Sequence, residues 1–253
     1  MAVVPETLGG AVLAALALAA LLAGFVRGLT GYGAALVFIP FAGAIVGPVN
    51  AIATLWWIDI SGTVQLLPST LRAVRFSEVR FLAAGALLGV PAGVFLLTTI
   101  DPVLIRWAAS SMAIIALAVI ASGWRHEVTH KNVPGLAIGA SSGFLAGSIG
   151  MAGVPLVAFY LGGGRSPANI RATATMFFLF LNVVMGAMLW FRGGFGMHQL
   201  PYVAVAFVPY LIGARLGILA FRRAQSRTLL WAAYVTILAS AVLGLPPVIA
   251  WFN

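Results

Sequence analysis

Five ionisable side chains fall inside long apolar stretches of this chain: Arg27, Asp59, Arg106, Arg171 and Arg215. A charge at such a depth is costly and marks a functional site by default. Four of the five are cationic, and the chemistry open to them is holding an anion. Arg27 lies inside the run Gly24-Phe25-Val26-Arg27-Gly28-Leu29-Thr30-Gly31-Tyr32-Gly33. Glycines let a backbone turn tightly. A break there leaves N–H groups open at the start of the next helix, where an anion is favoured. The competing role for such glycines is close helix packing through small residues. That role suits Gly89-x-x-x-Gly93 and Gly213-x-x-x-Gly217 better.

Asp59 is the acidic residue well inside a span, with Ser61, Thr63 and Gln65 beside it. It either carries a coupling proton or neutralises a buried arginine. Asn50, Thr54, Asn169 and Thr173 open two later segments, each after a proline. They either donate hydrogen bonds to a ligand or cap their own helices. Arg171 sits among the second set, and either contacts the ligand or snorkels to the surface. Arg215 lies nearer a helix end, which favours snorkelling. Arg106 is placed to pair with Asp101.

Other chemistries are poorly served. There is no cysteine, which removes disulfides and thiolate metal sites. The histidines, His126, His130 and His198, all fall in loops, so no carboxylate–histidine metal cluster is expected. Gly139-Ala140-Ser141-Ser142-Gly143 has the look of a serine-protease environment within a membrane. That chemistry needs a base beside the nucleophile, and no histidine enters an apolar segment. No nucleotide-binding motif is present, and no cofactor is expected. An enzyme is therefore not expected.

These residues must be positioned by membrane helices. The chain has 253 residues, 62% hydrophobic and only 8% charged, against roughly 25% charged in soluble domains. Apolar segments fall at 8–26, 33–47, 49–67, 81–98, 103–122, 135–149, 153–163, 168–190, 200–219 and 229–250. A helix needs about 20 apolar residues to cross the hydrocarbon core. The second and seventh segments are too short for that. The runs are continuous rather than alternating, which argues against a β-barrel. The first run follows Glu6 and no basic residue, so it does not read as a signal peptide.

The chain is also duplicated. Gly24, Gly28 and Gly31 align with Gly143, Gly147 and Gly150 at one constant spacing. Pro48-Val49-Asn50 aligns with Pro167-Ala168-Asn169, and Ala53-Thr54 with Ala172-Thr173, at that same spacing. After a small insertion around 192–196, Gly89 and Gly93 align with Gly213 and Gly217, and Trp107 with Trp231. The expected organisation is a first repeat over 1–123, a cytoplasmic linker over 124–134 and a second repeat over 135–253, in one integral membrane domain. Each repeat is a glycine-broken helix pair, either two spans or a re-entrant hairpin, followed by three transmembrane helices. Paired breaks in a duplicated transporter point to the substrate site.

The formal charge is +9, and all but one of the 14 Lys and Arg residues are arginine, the exception being Lys131. They are dispersed among spans rather than grouped, so nucleic acid is not an expected partner. Arg72, Arg75 and Arg80 follow the third segment of repeat 1, and Arg222, Arg223 and Arg227 follow the fourth of repeat 2. The positive-inside rule puts both clusters on the cytoplasmic face. That holds if each repeat crosses an odd number of times, so that the repeats are inverted and both termini face outward. Arg125 and Lys131 then also face the cytoplasm. The alternative of four parallel spans per repeat merges 8–47 into one helix, too long even when tilted.

GFVRGLTGYGAALVFIP and GFLAGSIGMAGVPLVAFYL resemble the glycine-rich signature of the sulfite exporter TauE/SafE family. The size, the duplication and the Pro-x-Asn…Ala-Thr stretch after each copy fit as well. Arg27 stands where small residues are frequent in that family, and Met151-Ala152-Gly153 lacks its full glycine run. The resemblance implies an all-α polytopic secondary transporter of the bacterial inner membrane. Its substrates would be sulfite or organosulfonates such as sulfoacetate, exported by alternating access. The expected site combines backbone N–H groups at Gly28, Gly31, Gly33, Gly150 and Gly153 with Arg27, Arg171, Asn50, Thr54, Asn169 and Thr173. Asp59 is the coupling candidate. The expected partners are a small anion, the lipid bilayer, protons as a coupling ion, and a second copy in a homodimer. The alternatives are an anion channel of the same fold, an importer of a related organic anion, or a substrate-free membrane scaffold.

Overall fold

The computed structural model describes residues 9–71, 74–122, 135–161, 167–223 and 227–250. Among these residues the regular structure is entirely helical. The first half holds α1 (Gly10–Thr30), α2 (Ala34–Val46), α3 (Pro48–Thr70), α4 (Phe76–Thr99) and α5 (Pro102–Ala121). The second holds α6 (Gly135–Ile149), α7 (Gly153–Leu161), α8 (Pro167–Phe191), α9 (Leu200–Arg223), α10 (Arg227–Leu243) and α11 (Pro246–Ala250). A short 3-10 turn, Met197–Gln199, precedes α9. The linker 124–134, Arg72, and with them Arg125, Lys131, His126 and His130 lie outside the described residues.

Prolines start α3, α5 and α8, where a missing N–H costs nothing. The tenth apolar stretch is not one helix. It ends at Leu243 and restarts at Pro246, because a proline lacks a backbone donor and disfavours helix at the residue before it.

Among the described residues, five helices are long and apolar enough to cross a membrane: Gly10–Thr30, Phe76–Thr99, Pro102–Ala121, Asn169–Phe191 and Met197–Phe221. Outward-facing apolar side chains such as Leu88, Val183, Trp190 and Phe191 are more than two-thirds exposed. In water that surface would aggregate; in a bilayer it is the lipid-facing side. The chain is a multi-pass membrane protein. By contrast α2 and α7 have 13 and 9 residues, well short of about 20. Ala15, Leu18, Ala19 and Leu22 of α1 line one groove with Val37 and Phe41 of α2, so α2 folds back along α1.

The breaks are narrower than the glycine clusters suggest. Gly24 and Gly28 lie within α1, and Gly143 and Gly147 within α6. The chain turns only at Gly31-Tyr32-Gly33 and at Gly150-Met151-Ala152. The glycines before each turn are packing surfaces instead. A Cβ on Gly24 would sit 2.2 Å from the Tyr210 carbonyl oxygen, and one on Gly28 2.1 Å from that of Ala214. Gly213 and Gly217 meet Leu21 and Phe25 in return, at 2.0 and 2.2 Å. The other half repeats this arrangement. Gly85, Gly89 and Gly93 of α4 press on Leu136, Ala140 and Phe144 of α6, while Gly139, Gly143 and Gly147 press on Leu82, Ala86 and Val90. The register rises together in both pairs, so α1 runs parallel to α9 and α4 parallel to α6. Among the described residues these two seams are the most extensive helix contacts, and each joins the first helix of one half to the fourth of the other. With little hydrophobic drive between helices in lipid, backbone approach through small residues supplies the cohesion.

Candidate functional site

The two turns meet. A cavity of about 80 Å³ is lined from one side by Arg27, Gly33, Ala34 and Ala35, and from the other by Ala146, Gly150, Ala152 and Gly153. Its walls come from two helices that occupy equivalent places in the halves. On α3, Ile52, Leu55, Trp56 and Asp59 face it; on α8, Phe178, Leu181, Asn182 and Met185 do. Both sets follow the i, i+3, i+4, i+7 spacing of one helical face.

Each turn depends on a left-handed glycine. Gly31 has φ 83° and Gly150 φ 75°, a conformation that costs other residues about 1–2 kcal/mol. Their neighbours also correspond. Gly31 packs against the Arg171 side chain on α8, and Gly150 against Ile52 on α3, two positions that the internal alignment pairs with each other.

Arg27 lies in the last turn of α1, 3% exposed. Its Nε stands 3.0 Å from Asp59 Oδ1, and its Nη2 donates to Asp59 Oδ2 at 3.1 Å. Nη2 also donates to Thr63 Oγ1 at 2.7 Å, and Nη1 to the Gly31 carbonyl at 2.7 Å. The guanidinium sits over the Phe178 ring, 4.9 Å from its centroid. Asp59 further accepts a hydrogen bond from the Tyr210 hydroxyl of α9. A buried charge survives only when paired and hydrogen-bonded, and this cluster supplies both. Among the described residues, Arg27 and Asp59 are the only charged side chains lining the cavity.

Arg171 is buried too, but it is spent elsewhere. Its Nη2 donates to the Gly28 carbonyl at 2.8 Å, and its guanidinium stacks on Phe221. It thereby satisfies a carbonyl near the end of α1, which the turn at Gly31 would otherwise leave exposed. Gly28 and Gly31 flank this contact and do not line the cavity. Nor do Asn50, Thr54, Asn169 and Thr173. Asn50 donates to the Val46 carbonyl and faces His198 and Gln199. Thr54 and Thr173 are buried within the helix packing. Asp101 accepts from its own helix start, Val103 N, at 2.7 Å and does not pair with Arg106. Of the expected site residues, Arg27, Asp59, Gly33, Gly150 and Gly153 are brought together around the cavity.

Trp56, Phe178, Asn182 and Tyr210 complete the site without having stood out in the sequence. Trp56 Nε1 donates to the Asn182 backbone carbonyl at 2.7 Å. The Asn182 side-chain nitrogen is buried with no hydrogen-bond partner. Each is an ordinary span residue by type. The one available signal was register: Asp59 aligns with Phe178 and Thr63 with Asn182 under the same spacing that pairs the glycines.

A family model described as "Sulfite exporter TauE/SafE" matches residues 16–243 of this chain. No curated protein and no solved structure matched it.

Proposed function

Since the chain belongs to the sulfite exporter TauE/SafE family, we propose that it is a secondary transporter exporting a small sulfur-containing oxyanion across the bacterial inner membrane. Sulfite and organosulfonates such as sulfoacetate are the substrate class. The observation that carries this reading is the cavity where the two glycine turns meet, with Arg27 as its one cation among the described residues. The parallel seams α1–α9 and α4–α6 support an inverted relation between the halves. With α2 folded back on α1, a reversal at each of the next two connections would make α4, and the α6 parallel to it, run opposite to α1. Alternating access would then move the turns of one or both halves about the fixed cavity.

The ion pair sets the terms of binding. Arg27 already spends most of its donors on Asp59, Thr63 and Gly31. An incoming anion must compete with the Asp59 carboxylate for the guanidinium. Protonation of Asp59 would release Arg27 to the substrate, so the pair is the natural point for proton coupling. Without a coupling ion, an inside-negative potential drives a monoanion outward by about 2.3 kcal/mol per 100 mV.

A thermal-shift screen of sulfite, sulfoacetate, taurine, thiosulfate and carboxylate analogues on purified protein tests the reading. Saturable stabilisation by a sulfur oxyanion, lost in Arg27→Ala, is the expected result. The same ligand in proteoliposomes should show trans-stimulated counterflow, which a channel would not give. Stabilisation by none of these anions would overturn the assignment.

A further inference from the structure

We infer that Asn182 is a substrate-binding residue of this cavity, and that the oxyanion is held between its side-chain amide and the Arg27 guanidinium. This rests on the transport reading above and deepens it by placing the ligand.

Three observations converge on Asn182. Its side-chain nitrogen is buried and has no hydrogen-bond partner, and the residue lines the cavity. A buried donor left unmade is expensive, and each such group in a native protein calls for an explanation. Its backbone is meanwhile tied, because Trp56 donates to its carbonyl. The second observation is place. Phe178 lies about one turn before Asn182 on the same face of α8, and the Arg27 guanidinium sits over its ring. Arg27, Phe178 and Asn182 all line the one cavity, so a small oxyanion there has a cation and an amide donor on its walls.

The third is the comparison of the halves. Arg27, Asp59 and Thr63 align with Ala146, Phe178 and Asn182. In the first half, the Thr63 hydroxyl accepts from a fixed cation. In the second half that cation is replaced by Ala146, and the corresponding side chain offers a donor with no acceptor beside it. The room left by the missing guanidinium opens into the cavity, which Ala146 also lines. The position has passed from serving a protein side chain to facing a ligand acceptor. Phe178, in place of a second carboxylate, removes the charge that would repel an anion there.

The experiment follows the thermal stabilisation of the full chain in detergent during titration with methanesulfonate, a stable sulfonate monoanion. Asn182→Leu removes the donor, and Asn182→Asp replaces it with a repelling carboxylate of the same shape. Half-saturation should rise about tenfold or more in the first, and further in the second. Ala146→Leu fills the space from the opposite wall without touching the amide and should also abolish the shift. It keeps the test decisive if the Asn182 variants do not fold. Wild-type titration curves in Asn182→Leu and Asn182→Asp, with binding still lost in Arg27→Ala, would overturn this placement and leave the transport reading standing. An Ala146→Leu protein that binds normally would overturn it as well. A wild-type protein stabilised by no oxyanion would overturn both.

Discussion

The turn after α1 and the turn after α6 share a backbone and differ in chemistry. Both hinge on a left-handed glycine, Gly31 and Gly150. Both follow a helix whose glycines press on the fourth helix of the opposite half. Yet the first turn carries Arg27 paired with Asp59, while the aligned positions are Ala146 and Phe178. Symmetry is kept where backbones touch, because any Cβ there would strike a carbonyl. It is lost where side chains face the cavity, which Arg27 and Asp59 line in the first half and Ala146 and Phe178 at the aligned positions of the second. A second buried ion pair there would add its own desolvation penalty. The difference teaches that the glycine-packed frame is common to both halves while the charges at the cavity belong to one.

The sharpest way to break this contrast is to strip the first half of its pair. Asp59→Ala leaves Arg27 as a buried unpaired charge. We expect a loss of about 3–5 kcal/mol, read from the unfolding of purified protein in detergent. The double variant Arg27→Met/Asp59→Ala should recover part of that loss. A single variant as stable as the wild type would mean that Arg27 is not held by Asp59.

The shared frame is tested by paired substitutions at aligned glycines. Gly28→Ala and Gly147→Ala should each cost about 1–3 kcal/mol by overpacking, since their Cβ atoms would lie 2.1 and 2.6 Å from carbonyl oxygens. A large effect in one half with none in the other would end the structural equivalence of the two seams. At the turns, Gly31→Ala and Gly150→Ala carry the left-handed penalty of about 1–2 kcal/mol. Gly31→Ala should be the worse of the two, because its Cβ would lie 2.6 Å from Arg171 Cγ, against 3.1 Å from Ile39 Cγ1 at Gly150. The ranking is checked by comparing unfolding midpoints. The smallest effect belongs to Trp56→Phe, which keeps the ring and loses one hydrogen bond to α8. It should cost about 0.5–1.5 kcal/mol, and a change in proteoliposome transport larger than that in stability would show that the α3–α8 tie also sets the cavity's shape.

Much of the frame was legible in the residues. The apolar segments coincide with the helices to within a few positions, because length and hydropathy are local properties. The tenth segment is the exception, divided near Gly244, where a Cβ would stand 2.5 Å from the Pro40 carbonyl oxygen. The glycine clusters aligned between the halves but overstated the breaks, since glycine serves both turns and seams and its type does not say which. The site was legible in part. Arg27 and Asp59 stood out as buried charges, yet their pairing spans 32 positions and that of Asp59 with Tyr210 spans 151. Arg171 was open to ligand contact or to snorkelling by sequence; only the fold shows that it donates to the Gly28 carbonyl and stacks on Phe221.

From composition, spacing and repetition alone, this chain is an all-α membrane protein made of two related halves with a glycine turn in each. Those properties follow from local rules: apolar length, helix period, and the freedom that only glycine has at positive φ. Which charges meet, which arginine faces the cavity and which amide is left waiting are decided by how α3 and α8 pack across the two turns. Side-chain partners depend on where helices cross in space, and distance along the chain carries no record of that.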